Sequence, residues 1–336
     1  MGLKSKHETR RQNRPVIEAL EGRIVLSTFQ ATTVTQLQAD IKAVNNTSGP
    51  NTILLKPGVY LMTSALQIQN AGNLTIRPSS TRSTTSLVGS VVDRVLEIDG
   101  GSVTISGLSI SGGGAVARGG GILAQNASLT LKTTKVSDNI SSQSGAGIFT
   151  QGGSLTLQDN STVTNNRSSS STSAFGGGIF ALDTNVTLTN SSVSENSLYA
   201  YNQQTMGAVE ASGAGIFAEG GSLTVTGSTL SGNTIYAVTT GTNAAASGAA
   251  INTNQTPVTV SKSMFQYDAL NAVSYGGVAS TQGSVFATNG GSLTLVNSTL
   301  GKNTPGGIRS FFHPGATVTI TNLNLNGHKF SGTLSP

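Results

Sequence analysis

The stretch GGGIFALDTNVTLTNSSVSEN, residues 176–196, decides how the chain is read. It lays over GAGIFTQGGSLTLQDNSTVTNN (145–166) and GAGIFAEGGSLTVTGSTLSGN (213–233). Fainter copies occupy 95–113, 119–139, 247–268, 283–303 and 306–328. Self-similarity of this kind marks a repeat architecture. Each copy holds three short runs in which apolar residues alternate with Ser, Thr or Asn, the period of a strand with one buried face. The first two inward positions stand seven residues apart, at Ile122/Leu129, Ile148/Leu155, Ile179/Val186, Ile216/Leu223 and Ile251/Val258. The next anchors follow two and then five residues on, as in Leu188/Val193 and Val225/Leu230. Three strands with short turns per copy predict an all-β fold in which each copy is one triangular coil of a parallel β-helix.

Three residues past the third anchor stand Asn139, Asn166, Asn196, Asn233 and Asn303, with Gly113, Asp268 and His328 in the other copies. Gly, Asn, Asp and His are the residues that tolerate a positive φ. The ladder is therefore read as a structural turn with left-handed backbone, in which stacked asparagines also bond from coil to coil.

Upstream, Val34, Leu37, Ile41 and Val44 fall on one face of a helix. The turn residues Asn45 to Pro50 end it, and Thr52 to Leu55 reads as a strand. A lone amphipathic helix before a strand array suggests a cap over the end of an open stack. The expected organisation is a basic, disordered segment over 1–27, a capping-helix region over 28–50, and a β-helix over 51–336.

Composition sets wide limits. The chain has 336 residues, 42 Gly, no Cys, no Trp and 10% charged residues. Without cysteine there are no disulfides, thiolate metal sites or thiol nucleophile. No apolar run is long enough for a transmembrane helix. Residues 1–23 carry six Lys or Arg against three Glu, so the net charge of +5 comes largely from this tail. A nearly neutral body without basic–aromatic alternation gives no basis for nucleic-acid binding.

The GG(A/I)-type openings and trailing V/L-x-x-N runs resemble the right-handed parallel β-helix superfamily, which includes pectate-lyase-like enzymes and polymorphic outer-membrane-type surface proteins. The likeness covers most of 51–328. It implies a right-handed solenoid but not an activity, since the superfamily holds lyases, hydrolases, adhesins and structural proteins. Leu20, Glu21, Arg23, Val25, Leu26 and Ser27 resemble the N-terminal LEPR-XLL segment of bacterial surface proteins, with Gly22 in place of the motif's proline. That resemblance implies an exported, envelope or extracellular bacterial protein.

Strand parity sets the candidate site. With Ile148 and Ile179 inward, Phe149 and Phe180 point outward. The same reading puts Phe217 and Phe286 outside, with Glu97, Leu123, Asn252 and Arg309 at equivalent positions. Insertions at 167–176, 197–212, 234–247 and 269–282 emerge as loops beside this face and bring Tyr199, Tyr201, Tyr236 and Tyr275. An exposed aromatic stripe of this size is either covered or used. The two readings are a stripe buried by loop aromatics, and an aromatic-lined groove for a glycan or surface-protein partner.

Signals for chemistry are sparse. Asp183 and Glu219 form the best carboxylate pair, and Glu97 near Arg118 reads as a surface ion pair. His7, His313 and His328 are too scattered for a triad or a metal site. GGGAVARGGG (112–121) lacks a complete G-x-G-x-x-G and reads as a tight turn. The expectation is a non-catalytic surface protein, adhesin-like or structural, using an aromatic-lined loop edge, with no cofactor. The alternative is a polysaccharide lyase or glycoside hydrolase acting on the same face. Calcium enters only under the lyase alternative, as that family resemblance implies.

Overall fold

A computed structural model describes residues 27–81, 84–114, 116–203, 207–304, 311–312, 317–325 and 327–334. The LEPR-XLL-like residues Leu20 to Leu26 lie outside them, as do His7, Arg309 and His313. Ser27 begins the first strand, Ser27–Ala31, which pairs in parallel with Pro50–Leu55.

The described residues are all-β, with one short helix among them, and their long sheets are parallel. Each repeat forms one rung stacked on its neighbours. Ile122, Ile148, Ile179, Ile216 and Ile251 lie in one continuous register. A second register joins Leu129, Leu155, Val186, Leu223, Val258 and Leu293. A third joins Ile110, Val136, Val163, Val193, Leu230, Phe265 and Leu300. All of these side chains are buried and merge into one core. The sheet thus satisfies its backbone groups rung to rung while the alternation delivers one apolar side chain per step inward.

The helix Val34–Val44 buries Leu37, Ile41 and Val44 in this core. Thr33 Oγ1 accepts from Gln36 N at 3.2 Å, and Gln36 Oε1 accepts from Thr32 N at 2.8 Å, a reciprocal N-terminal cap. At the other end Asn45 donates to Gln67 O at 3.0 Å and accepts from Gln69 N at 2.9 Å, tying the helix to the strand Leu66–Pro78.

The asparagine turn differs from the sequence expectation in its backbone. The positive φ belongs to the residue before each ladder position: Gly112, Asp138, Asn165, Glu195, Gly232, Tyr267 and Lys302. The asparagines themselves are buried. Asn166 Oδ1 accepts from the backbone N and Nδ2 of Asn139 at 3.1 and 3.0 Å, and Asn196 does the same for Asn166. Each Nδ2 also reaches a carbonyl of the preceding rung, Asn196 to Val163 and Asn233 to Val193. The side-chain amide, with two donors and an acceptor, is what this inner corner requires. Gly113 ends the ladder by donating its N–H to Asn139 Oδ1 at 3.0 Å.

His328 is not a ladder member. It opens the strand His328–Leu334, which turns back antiparallel onto Thr317–Leu325 and leaves His328 exposed. This reversal supplies the last rung with a partner strand from its own chain.

A second ladder escaped the sequence reading. Ser161, Ser191, Ser228, Ser263 and Ser298 stand two residues before the third anchors, and the hydroxyls of Ser161, Ser228, Ser263 and Ser298 accept backbone N–H groups of the rung before, as Ser263 Oγ does from Ser228 N at 3.2 Å. At the first turn, side chain and glycine alternate from rung to rung. Asn70, Asn126, Asp183 and Gln255, all at positive φ, each lie over the glycine of the next rung: Gly100, Gly152, Gly220 and Gly290. A Cβ at Gly152 would lie 2.9 Å from Asn126 Oδ1.

The insertions are not loops. They pair into a five-stranded sheet (Ile140–Ser141, Arg167–Ser170, Ser197–Asn202, Thr234–Thr239, Ala269–Ser274) and a four-stranded sheet (Ser173–Phe175, Val209–Ser212, Asn243–Ser247, Val278–Gln282). Between them lies a second core containing Leu198, Ile235 and many alanines. The two sheets form a flange standing along one side of the main body.

Candidate functional site: the groove between flange and body

Each wall strand of the flange turns into a strand of the main body through one glycine: Gly176, Gly213, Gly248 or Gly283, with φ between +56° and +69°. At Gly248 a Cβ would run into the carbonyl oxygen of Ile251, so the corner is open only to glycine. The chain therefore draws a V in each of these four rungs, with the four-stranded sheet as wall and the outward face of the body as floor. Residues just before and just after the vertex meet at the bottom. Asn252 Nδ2 donates to Ser247 Oγ at 2.7 Å, and the rings of Phe175 and Phe217 lie 5.0 Å apart.

Phe149, Phe180 and Phe217 face outward on the floor and stack on one another. Their centroids are 4.9 and 5.1 Å apart, with planes 3° and 14° from parallel. This spacing follows from the rung separation, which is close to the inter-strand distance of a sheet. Arg118 closes the first end of the stack, its guanidinium 5.2 Å from the Phe149 centroid. Phe149 retains 2% of its exposure and Phe217 9%, while Phe180 is partly buried. The flange and the arginine cover part of the stack, and the remainder lines open space.

Phe286 is a correction. It pairs with Ile251, points inward and is fully buried, its ring 4.8 Å from that of Phe265. The vertex glycine Gly283 sets the register, so Phe286 occupies the isoleucine position and Ala287 takes the outward one. Glu97 is also reassigned: its partner is Arg94, at 3.4 Å, not Arg118.

Asp183 and Glu219 do not form a pair. Glu219 is in register with Leu182 and faces the groove, where its Oε1 accepts from Asn254 Nδ2 at 3.1 Å. Asp183 is one residue further on, exposed in the turn at φ 49°. Glu210 on the wall, which the sequence reading did not single out, lines the groove with Glu219 instead.

Two cavities meet at Phe217. One, of ≈ 380 Å³, is bordered by Arg118, Gln143, Phe175, Phe180 and Glu219. The other, of ≈ 360 Å³, is bordered by Glu210, Ser247, Asn252, Asn254 and Gln282. Concave space of this size with aromatic and amide lining is the usual setting of small-molecule or saccharide recognition. Among the described residues no group of three His, Asp or Glu could hold a metal ion.

The tyrosines lie elsewhere. Tyr199 and Tyr236 stack at 4.8 Å on the outer face of the five-stranded sheet, with Arg167 4.2 Å above Tyr199. Tyr201 is exposed beside Ser169, Ser170 and Ser171, around a shallow depression. Tyr275 is 76% exposed at the flange tip. None of the four borders the groove cavities.

Comparison with solved structures finds the crystal structure of an alginate lyase from Paenibacillus sp. str. FPU-7, with a TM-score of 0.39 and 12% sequence identity over 89% of this chain and 99% of that one. No protein-family model and no curated protein sequence matches the chain. No helix of the described residues is long and apolar enough to cross a membrane.

Proposed function

We propose that this protein is a non-catalytic, exported or cell-surface right-handed parallel β-helix that holds an extended glycan in the groove between flange and body. In this reading each rung contributes three strands, and the helix Val34–Val44 closes the first end of the stack. The observation that carries the binding function is the groove itself: a phenylalanine stack bordered by Ser, Asn and Gln side chains. Sugar rings pack their apolar faces on aromatic side chains while amides and hydroxyls take their hydroxyl groups. Export rests on the resemblance of residues 20–27 to a surface-protein segment.

Affinity electrophoresis through gels containing neutral, acidic and amino polysaccharides tests the binding. The wild type is retarded by at least one of them. Phe217→Ala, checked for folding by circular dichroism, loses about tenfold in affinity, roughly 1.4 kcal/mol. Retardation by none of them removes the glycan reading.

One observation favours a second reading, a polysaccharide lyase or glycoside hydrolase. Arg118 and Glu219 border one cavity, so a base and an acid flank the phenylalanines there. Calcium would matter only in this case. Incubation with the same polysaccharides, with and without calcium, separates the two: release of new reducing or unsaturated ends overturns the non-catalytic reading.

A further inference from the structure

Resting on the glycan-groove reading, we propose that the subsite at Phe217 takes an amino sugar in its ammonium form, so that the protein prefers an amine-bearing polysaccharide to neutral or polyanionic ones. The argument begins with the two ends of the phenylalanine stack. At its first end a cation is already in place, Arg118 over Phe149. The tyrosine stack on the far side of the flange is closed in the same way, by Arg167 over Tyr199. Aromatic faces attract cations through the ring quadrupole, most strongly where water is partly excluded.

At its other end the phenylalanine stack stops because the next rung carries Asn252 in register with Phe217. The Asn252 amide is drawn sideways onto Ser247 Oγ. The Phe217 ring, stacked on Phe180 toward the first end, borders the ≈ 360 Å³ cavity on this side.

The charged residue bordering that cavity is Glu210, and Glu219 stands across Phe217 in the neighbouring one. Glu210 lies three residues before the vertex glycine Gly213, and Glu219 six residues after it. They are the next positions outward from Ser212 and Phe217 on the two arms of one V, so the carboxylates flank the ring from wall and floor. Glu219 Oε1 is held by Asn254 Nδ2, which borders the ≈ 360 Å³ cavity. Among the described residues no Lys or Arg borders it; Arg118 borders the neighbouring cavity, which Glu219 and Phe217 also line. The outward floor row that holds Glu219 also carries Asp99 four rungs earlier, through Gln125, Gln151 and Leu182. A polyuronate carboxylate placed here would meet like charge, whereas an ammonium would find the Phe217 face and the Glu210 carboxylate, with Glu219 on the far side of the ring. No third acidic or imidazole group joins the two glutamates among the described residues, so a multidentate metal cage is not what the pair forms.

The test is isothermal titration of the full chain with glucosamine oligomers, N-acetylglucosamine oligomers of equal length, and oligogalacturonate. The free-amine oligomer is expected to bind about tenfold or more tightly than its acetylated counterpart, with an affinity that falls as salt is raised. Glu210→Gln and Glu219→Gln each reduce binding of the amine oligomer several-fold and that of the acetylated oligomer by a smaller factor, so the ratio of the two affinities falls. Phe217→Ala weakens both. Equal or tighter binding of the acetylated or the acidic oligomer, or amine binding insensitive to both glutamine variants, overturns the amino-sugar proposal. If that binding still depends on Phe217, the glycan groove survives. Binding of no oligomer overturns both.

Discussion

The two hydrophobic cores are built from different materials. The body packs Ile, Leu, Val and Phe from every rung into one continuous column. The flange core has twelve buried members, and eight are alanine. At about 0.8 kcal/mol per buried CH₂, an alanine contributes far less than a leucine. The flange is therefore held mainly by rung-to-rung backbone pairing and by its attachment to the body. The groove accordingly has a rigid floor and a more weakly supported wall.

The largest effect should come from a deletion that sets the two cores against each other. Ile216→Ala in the body should cost about 2–5 kcal/mol and lower the denaturation midpoint of the whole chain. Ile235→Ala makes the same deletion in the flange. It should raise amide exchange across the two flange sheets while the main transition stays near the wild-type midpoint. A shift of equal size for both would show that the cores unfold as one unit.

Next in size is the ladder. Asn196→Ala leaves several buried polar groups without partners, including the N–H of Asn166 and the carbonyl of Val163. At about 1–3 kcal/mol for each unsatisfied group, the loss should be readily visible in urea unfolding. Asn196→Asp should be nearly as damaging at neutral pH, since one of its oxygens would face acceptors.

The chain carries that second substitution naturally at Asp268. Its Oδ1 accepts from the N and Nδ2 of Asn233 at 3.0 and 2.9 Å, while Oδ2 is buried without a partner. Burial pushes the Asp268 carboxyl well above the ordinary carboxylate range, against the opposing effect of the Asn233 hydrogen bonds. The folded state therefore holds a proton that the unfolded chain releases near pH 4. Stability is fullest below that pH and falls as pH rises toward the folded-state value, at a limiting slope of about 1.4 kcal/mol per pH unit. Asp268→Asn should restore the amide, remove this slope and raise the neutral-pH midpoint. A variant no more stable at pH 7 than the wild type would refute the assignment.

The smallest effect concerns the outer tyrosine stack. Arg167→Ala should cost about 0.5–1 kcal/mol, as an exposed cation–π contact does. It should alter tyrosine fluorescence without affecting glycan binding, because neither tyrosine of the stack borders the groove cavities.

The body was legible in the sequence because inward positions repeat at fixed spacing and rung pairing reinforces the same alternation. The failures have local causes. Likeness to the neighbouring phenylalanines predicts an outward ring for Phe286, whereas the vertex glycine three residues earlier sets the register. Tolerance of positive φ is the property that the asparagine positions share in sequence, but their hydrogen-bonding capacity decides the position and a neighbour takes the φ. The wall strands look like loops in sequence because Ala and Ser alternate with little hydropathy contrast, and their pairing partners lie about 35 residues away in the neighbouring rung, as Ser212 and Ser247 do. Glu210 was hidden for the same reason.

The first-turn alternation carries a consequence for how such a chain can change length. Asn70, Asn126, Asp183 and Gln255 each rest on a glycine of the following rung. Removing one rung brings two side-chain-bearing corners together, or two bare ones; removing two restores the pattern. At this corner the unit of insertion and deletion is a pair of rungs, so length variants that keep the corner intact should differ by even numbers.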